Sequence, residues 1–308
     1  MESRSRRAFL SGRRLSKSPW EAFCQRLRSA VAGTFFEFEM HEGIGSARLI
    51  PKQPGDVHHA RTLCAEYGVV LALDGVPHAA RLGDQHVLWL EPGRDMAGCQ
   101  RLEPGSRKWF VQPGCLLGEL EAAGLQQFAD LPCHITVAAW LADRTLCDWE
   151  AGNTYKSGLE HASVLLADGV SVSLGPFGER NQKPLKGLRL QQMVPQLFQM
   201  AVHPDAQDCR QADLWPGRYR LDALLPVPGQ TANLAHLLLG HGGDLGWVDW
   251  IVLDQDLAQP QVEPPYAQRY TSQRDAGTDL GTRAADLDAR IKTLFDPADV
   301  FPYPGQDI

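Results

Sequence analysis

The stretch RLIPKQPGDVHHARTLCAEYGVVLALDG, residues 48–75, decides the fold of this chain. It opens on a short strand over residues 48–52 that ends at Pro51. Pro54 and Gly55 turn the chain, and Asp56 can cap the helix after it. Val57, Ala60, Leu63, Cys64 and Tyr67 recur at intervals of three and four, which predicts a helix over 57–67. Gly68 stops it, because glycine takes the left-handed conformation that ends a helix without strain. VVLALDG then reads as a buried strand running into a turn at Asp74-Gly75. Strand, helix and strand in one such stretch form a βαβ unit, with parallel strands.

Working outward, HVLWLEP (86–92) and KWFVQPG (108–114) read as further strands. The second turns at Pro113-Gly114 into a helix with Leu116, Leu117 and Leu120 on its apolar face. HASVLLADGVSVSLG reads as a hairpin, with Asp168-Gly169 as a type I′ turn. LQQMVPQLFQM predicts a short amphipathic helix broken near Pro195. RYRLDALLPV, from Arg218, alternates like a strand that would put Arg218 and Arg220 on one face. ANLAHLLLGHG reads as a helix ending at glycine, GWVDWIVLD as a strand, and residues 255–281 as a long loop. Leu287, Ile291 and Leu294 place a last helix over 283–295. The class expected is α+β.

Composition sets limits. The chain has 308 residues, 44% of them hydrophobic and 22% charged, and a net charge of −7. That balance argues against general nucleic-acid binding. No run of apolar residues is long enough to span a bilayer. The seven cysteines contain no C-x-x-C pair, so reduced thiols in a cytoplasmic protein, without structural zinc, are expected. Basic residues gather at the start: Arg4, Arg6, Arg7, Arg13, Arg14, Lys17, Arg26 and Arg28 against Glu2 and Glu21. SRRAFLSG resembles a twin-arginine export signal but lacks the apolar segment that should come after it. Residues 1–17 are expected to be poorly ordered. Ser18, Pro19 and Glu21 carry the signals of a capped helix start, and Trp20, Phe23, Leu27 and Val31 form its apolar face.

Four motifs occur in order: residues 48–75, WFVQPGCLLGELEAAGLQQF (109–128), ASVLLADGVSVSLGPFG (162–178) and RIKTLFDPADVFPYPG (290–305). Together they resemble the FAD-binding domain of the vanillyl-alcohol oxidase and p-cresol methylhydroxylase class, and within it the FAD-binding subunits of glycolate oxidases. The resemblance implies a two-lobed FAD-binding domain followed by a C-terminal α+β region. It suggests a basic segment and helix over 1–45, the FAD-binding unit over 46–180, and a region over 181–308 whose last helix packs back on the first unit. It also implies that the cofactor pyrophosphate lies between two glycine-rich loops. On this chain those positions are Asp74, Gly75, Val76 and His78 on one side and Ala138, Ala139, Gly152 and Gly158 on the other. The departures are chemical. Val76 and Pro77 stand where small residues with free amides are usual, and Pro77 has no N–H to donate. Ala138 and Ala139 replace a glycine pair, and Tyr303 replaces an asparagine. FAD is therefore expected to bind weakly or not at all.

The residues leave two functions open. One is an FAD-linked oxidoreductase subunit acting on a small 2-hydroxy acid such as glycolate or lactate, with Arg218 and Arg220 holding the carboxylate. The other is a non-catalytic scaffold that keeps the flavoprotein fold and binds partner subunits. His78 is a candidate for a covalent flavin link. His236, His241 and Asp244 are candidates for a metal or a general base, against a plain reading as a polar helix end. No metal site is expected.

Overall fold

The computed structural model describes residues 18–76, 82–146, 149–178, 187–257 and 279–303. Residues 1–17, whose order was in question, lie outside that set, as do Pro77 and His78.

The first lobe begins with helix α1 (Pro19–Ala30). Ser18 accepts a hydrogen bond from the Glu21 amide while the Glu21 carboxylate accepts one from the Ser18 amide, so the expected capping box is formed. Trp20, Phe23 and Leu27 are buried, and the Trp20 ring lies over Gly45 and stacks on His86. Strands β1 (Thr34–Glu37) and β2 (Ser46–Ile50) form a hairpin. Sequence reading placed no strand before residue 46. Helix α2 (Pro54–Tyr67) comes next and ends at Gly68, at φ +65°. Strands β3 (Val70–Leu73) and β4 (Val87–Leu90) complete a sheet in the order β1-β2-β4-β3. The strands flanking α2 are parallel as expected, but β4 lies between them and pairs with both. Ala47, Leu49, Leu71, Leu88 and Leu90 form one face of this sheet, and α1 and α2 cover it.

The second lobe is built on an antiparallel five-stranded sheet. Its strands are β5 (Cys99–Arg101), β6 (Lys108–Val111), β7 (Leu159–Leu165), β8 (Ser171–Leu174) and β11 (Trp247–Asp254), in the order β5-β6-β11-β7-β8. Helices α3 (Leu117–Ala122) and α4 (Val137–Ala142) lie between β6 and β7. After β8 come the short strand β9 (Pro176–Phe177), helices α5 (Leu188–Ala201) and α6 (Pro204–Arg210), and β10 (Ala232–Asn233), which pairs with β9. Helix α7 (Asp279–Phe295) is the last described helix.

Several local expectations change. Asp168-Gly169 does turn the β7–β8 hairpin, but only Gly169 has positive φ, at +86°. A type I′ turn needs positive φ at both central residues; here a three-residue loop ends on a left-handed glycine. Helix α5 runs through Pro195 without breaking, because Leu190, Met193, Val194 and Leu197 on its inner face are all buried. The segment after Arg218 is no strand. Residues Leu221–Leu224 form a 3-10 turn, so Arg218 and Arg220 do not share a strand face. Residues Leu234–Leu238 also form a 3-10 turn, which ends before Gly240.

The chain is α+β in two lobes, and its last segment joins them. Leu287, Ile291 and Phe295 of α7 belong to the second lobe's core, whereas Val300 and Phe301 belong to the first lobe's. Leu71 of β3 donates its N–H to the Val300 carbonyl at 2.8 Å. Lys292, fully buried, donates from Nζ to Asp296 at 2.5 Å and to the carbonyls of Asp244 and Phe301 at 2.9 and 3.1 Å.

Candidate functional site

The loop after β3 and the start of α4 meet between the lobes. Gly75 sits at φ +90°, and a Cβ there would lie 3.6 Å from the Ala139 methyl group. This places two of the expected cofactor positions side by side. Val76 packs on the first lobe's core, which also takes in Ala138 from the second lobe. Ala138 and Ala139 are buried in the first turn of α4.

The hydrogen bonds there decide what this meeting point can do. The first N–H groups of a helix have no partner within it and make a ready anion site when they are open. At α4 the first three helical amides are engaged. Val137 donates to the Cys115 carbonyl at 2.8 Å and Ala138 to the Pro113 carbonyl at 3.1 Å. Ala139 donates to Thr136 Oγ1 at 3.2 Å. On the facing loop, Asp74 donates to the Leu90 carbonyl at 2.8 Å, and Gly75 donates to Asp74 Oδ1 at 2.9 Å. The other carboxylate oxygen of Asp74 faces Arg48 Nε at 3.1 Å. A pyrophosphate would meet a carboxylate and a methyl group where it needs open amides. The residues described at this junction do not fit FAD.

Gly152 and Gly158 are engaged elsewhere. Gly152 donates to Asp222 Oδ2 at 2.7 Å, and the Arg210 guanidinium fills the space a side chain would take. Gly158 caps a 3-10 turn and donates to the Tyr155 carbonyl. Arg218 and Arg220 are buried, each on a carboxylate of this chain: Arg218 Nε on Asp244 at 2.6 Å, and Arg220 Nη2 on Asp222 at 2.7 Å. The glycine loop over residues 240–246 wraps the Arg218 guanidinium so closely that Gly242 has no room for a Cβ. A loop type that often holds phosphate here holds a cation of its own chain. Arg220 and Asp222 stand two residues apart in one stretch, but Asp244 lies far along the chain from Arg218 and no short motif links that pair.

His236 and His241 are buried beside these pairs. His236 Nε2 donates to the Leu159 carbonyl at 2.6 Å, and its Nδ1 accepts from the Thr154 hydroxyl at 2.9 Å. Burial pushes both histidines down to about 4, so they are neutral near pH 7. Among the described residues no group of His, Cys, Asp and Glu side chains could hold a metal ion. No described helix is long and apolar enough to cross a membrane. A groove of about 580 Å³ between α5 and α7, lined by residues that include Gln196, His203 and Arg290, contains none of the expected site residues.

No protein-family model matches the chain, and no curated protein does. Solved structures do. The Physcomitrella patens BBE-like 1 variant D396N aligns over 75% of this chain and 44% of its own, at 10% identity and a TM-score of 0.44. Xylooligosaccharide oxidase from Myceliophthora thermophila C1, in complex with xylobiose, aligns over 77% and 43%, at 13% identity and 0.41. An alkyldihydroxyacetonephosphate synthase aligns over 68% and 32%, at 14% and 0.38. The chain spans less than half the length of each. Likeness at this level carries no inference about what this chain binds or transforms.

Proposed function

We propose that this chain is a non-catalytic, partner-binding subunit on a two-lobed flavoprotein-type scaffold, one that does not hold FAD by itself. The observation that carries this is the engagement of the Val137, Ala138 and Ala139 amides by Cys115, Pro113 and Thr136. A phosphate taking those donors would orphan three acceptors. At about 1 kcal/mol each, that costs about 3 kcal/mol, on the order of a hundredfold in affinity. The basic N-terminal run and the acidic remainder of the chain support a role in association.

A second reading, an FAD-linked oxidoreductase, keeps one specific support: Gly75 and Ala139 do meet where the motif order puts the cofactor. Its finer form, oxidation of glycolate or lactate, would need a cationic substrate site other than the paired Arg218 and Arg220. Purification separates the readings. The first expects a colourless chain that does not reduce an artificial electron acceptor with glycolate or lactate, even with FAD added. A chain that retains flavin and turns over either acid would overturn it.

A further inference from the structure

The β1–β2 hairpin projects from the first lobe. Residues 36–43, FEFEMHEG, are all exposed, and three are large and apolar: Phe36 at 48%, Phe38 at 42% and Met40 at 53%. Exposed apolar side chains on a loose loop need little explanation, but this arm is held in one shape. His41 and Ile44 exchange both backbone hydrogen bonds, and Phe38 donates to the Ser46 carbonyl at 2.9 Å. The two residues between His41 and Ile44 have φ of +51° at Glu42 and +83° at Gly43. That is the two-residue hairpin turn with positive φ at both positions, taken here with a non-glycine residue at the first.

β1 is an edge strand, and among the described residues no strand pairs with its outer side. Antiparallel pairing alternates inward and outward backbone groups. Phe38 bonds inward to Ser46, so Phe35 and Glu37 present their N–H and C=O groups outward. Such an edge can take an added strand; β1 is short, and its acids make the choice of that strand a matter of charge. Phe35 packs on the lobe's core, so Phe36 and Phe38 share the other face, where Arg48 lies 5.6 Å from the Phe38 ring. Acids alternate with them: Glu37, which pairs with Arg28, and then Glu39. Glu42 stands at the tip.

That alternation selects the occupant. A second copy of the strand, over residues 34–40, offers Glu39 only Thr, Phe, Glu or Met and no cation. Glutamates facing each other across a pair are destabilising. Glu37 already has Arg28, so the acid on that face left to answer is Glu39; a strand with Lys or Arg opposite it answers that charge and packs apolar side chains on Phe36 and Phe38 on the other face. We infer that this hairpin is a docking strand for an extended segment of a partner protein in which basic and apolar residues alternate. The inference names the surface through which the proposed partner-binding role would act, and so rests on that reading.

The test uses the full chain and a fluorescein-labelled peptide of alternating valine and lysine, followed by fluorescence anisotropy. Controls are a block peptide of the same composition and a peptide of alternating valine and glutamate. The alternating valine–lysine peptide is expected to bind at least tenfold more tightly than either control. Phe36→Ser with Phe38→Ser should remove that advantage, although every acid remains. Glu39→Lys with Glu42→Lys should transfer the preference to the valine–glutamate peptide, and this second variant leaves the aromatic contacts in place should the first fail to fold. Equal binding of the alternating and block peptides, or unchanged affinity in the folded Phe36→Ser, Phe38→Ser chain, would overturn the inference. Failure here with a flavin-free chain removes the arm and leaves the scaffold reading. A flavin-bearing, active chain removes the scaffold reading whatever the peptide does.

Discussion

At the start of α4 and along the outer edge of β1 the backbone offers the same donor, the amide N–H, in opposite conditions. At α4 three consecutive amides are taken by Cys115, Pro113 and Thr136, and the acid Asp74 and the methyl of Ala139 crowd the gap in front. At β1 the outward amides of Phe35 and Glu37 face no described strand, and exposed aromatic rings stand beside them. The first region is closed by the protein's own acceptors. The second is ordered yet left open. The recognition by backbone hydrogen bonding that we propose belongs to the arm, away from the junction where the motif order puts a cofactor.

Closure extends through the second lobe, and that is where substitution should cost most. Lys292→Met removes the cation from a fully buried pair and leaves Asp296 uncompensated, while freeing the carbonyls of Asp244 and Phe301. Loss of one partner of such a pair costs about 3–5 kcal/mol. Urea unfolding should show a loss of that size, and a loss under about 1 kcal/mol would mean that the lobes are not joined there.

The next effect is pH-dependent. His236 lies near Arg220 and Asp222, and His241 near Arg218 and Asp244; burial holds both at about 4, against 6.5 when exposed. Each takes up its proton more readily when unfolded. Their stabilisation is full above pH 6.5 and is lost as pH falls through 4. Asp249 opposes them. It sits at the irregularity in the β11–β7 pairing, and burial raises it to about 6, so its contribution is lost as pH rises from 3.8 to 6. Two histidines outweigh one carboxyl group. Stability should fall between pH 6.5 and pH 4 by on the order of 2 kcal/mol per histidine, and His241→Gln should flatten the slope. A flat profile in the unaltered chain would contradict the burial argument.

A smaller effect separates two causes of closure. Thr136→Ala removes the cap and should cost about 1 kcal/mol in thermal or urea unfolding. Ala139→Gly removes only the methyl group. If engaged amides close the junction, Ala139→Gly should change FAD affinity less than about threefold, since one bonded amide stays bonded. A large gain from that substitution alone would assign the closure to the methyl group. At the open arm, Phe36→Ser with Phe38→Ser should shift stability by no more than about 0.5 kcal/mol, as for surface positions generally.

Much of the frame could be read from periodicity. The Ser18 and Glu21 cap, the helix stopped at Gly68, the Asp168-Gly169 hairpin and the last helix rest on neighbours in sequence, where local rules hold. The arm was also there to be read: TFFEFEM alternates with period two and runs into Glu42-Gly43. Burial does not mark it, because only Phe35 of this run packs on the core while residues 36–43 are exposed. The fate of Arg218 could not be read, because Asp244 lies far along the chain from it; Arg220 pairs with Asp222 of its own stretch, in a 3-10 turn that replaces the strand that alternation suggested. The motif order named Gly75 and Ala139 as cofactor positions, and the two lie side by side in the fold. Whether the amides there were open depended on Pro113, Cys115 and Thr136, which became their acceptors only when the chain folded.

The central claim is that the α4 amides are not available to a pyrophosphate. Titration of the purified, flavin-free chain with FAD, followed by quenching of flavin fluorescence, tests it most directly. The closed junction predicts no saturable binding below about 10 μM FAD, in keeping with the loss of roughly a hundredfold expected from three engaged donors. Saturable binding at submicromolar FAD would contradict it and return the chain to the oxidoreductase reading.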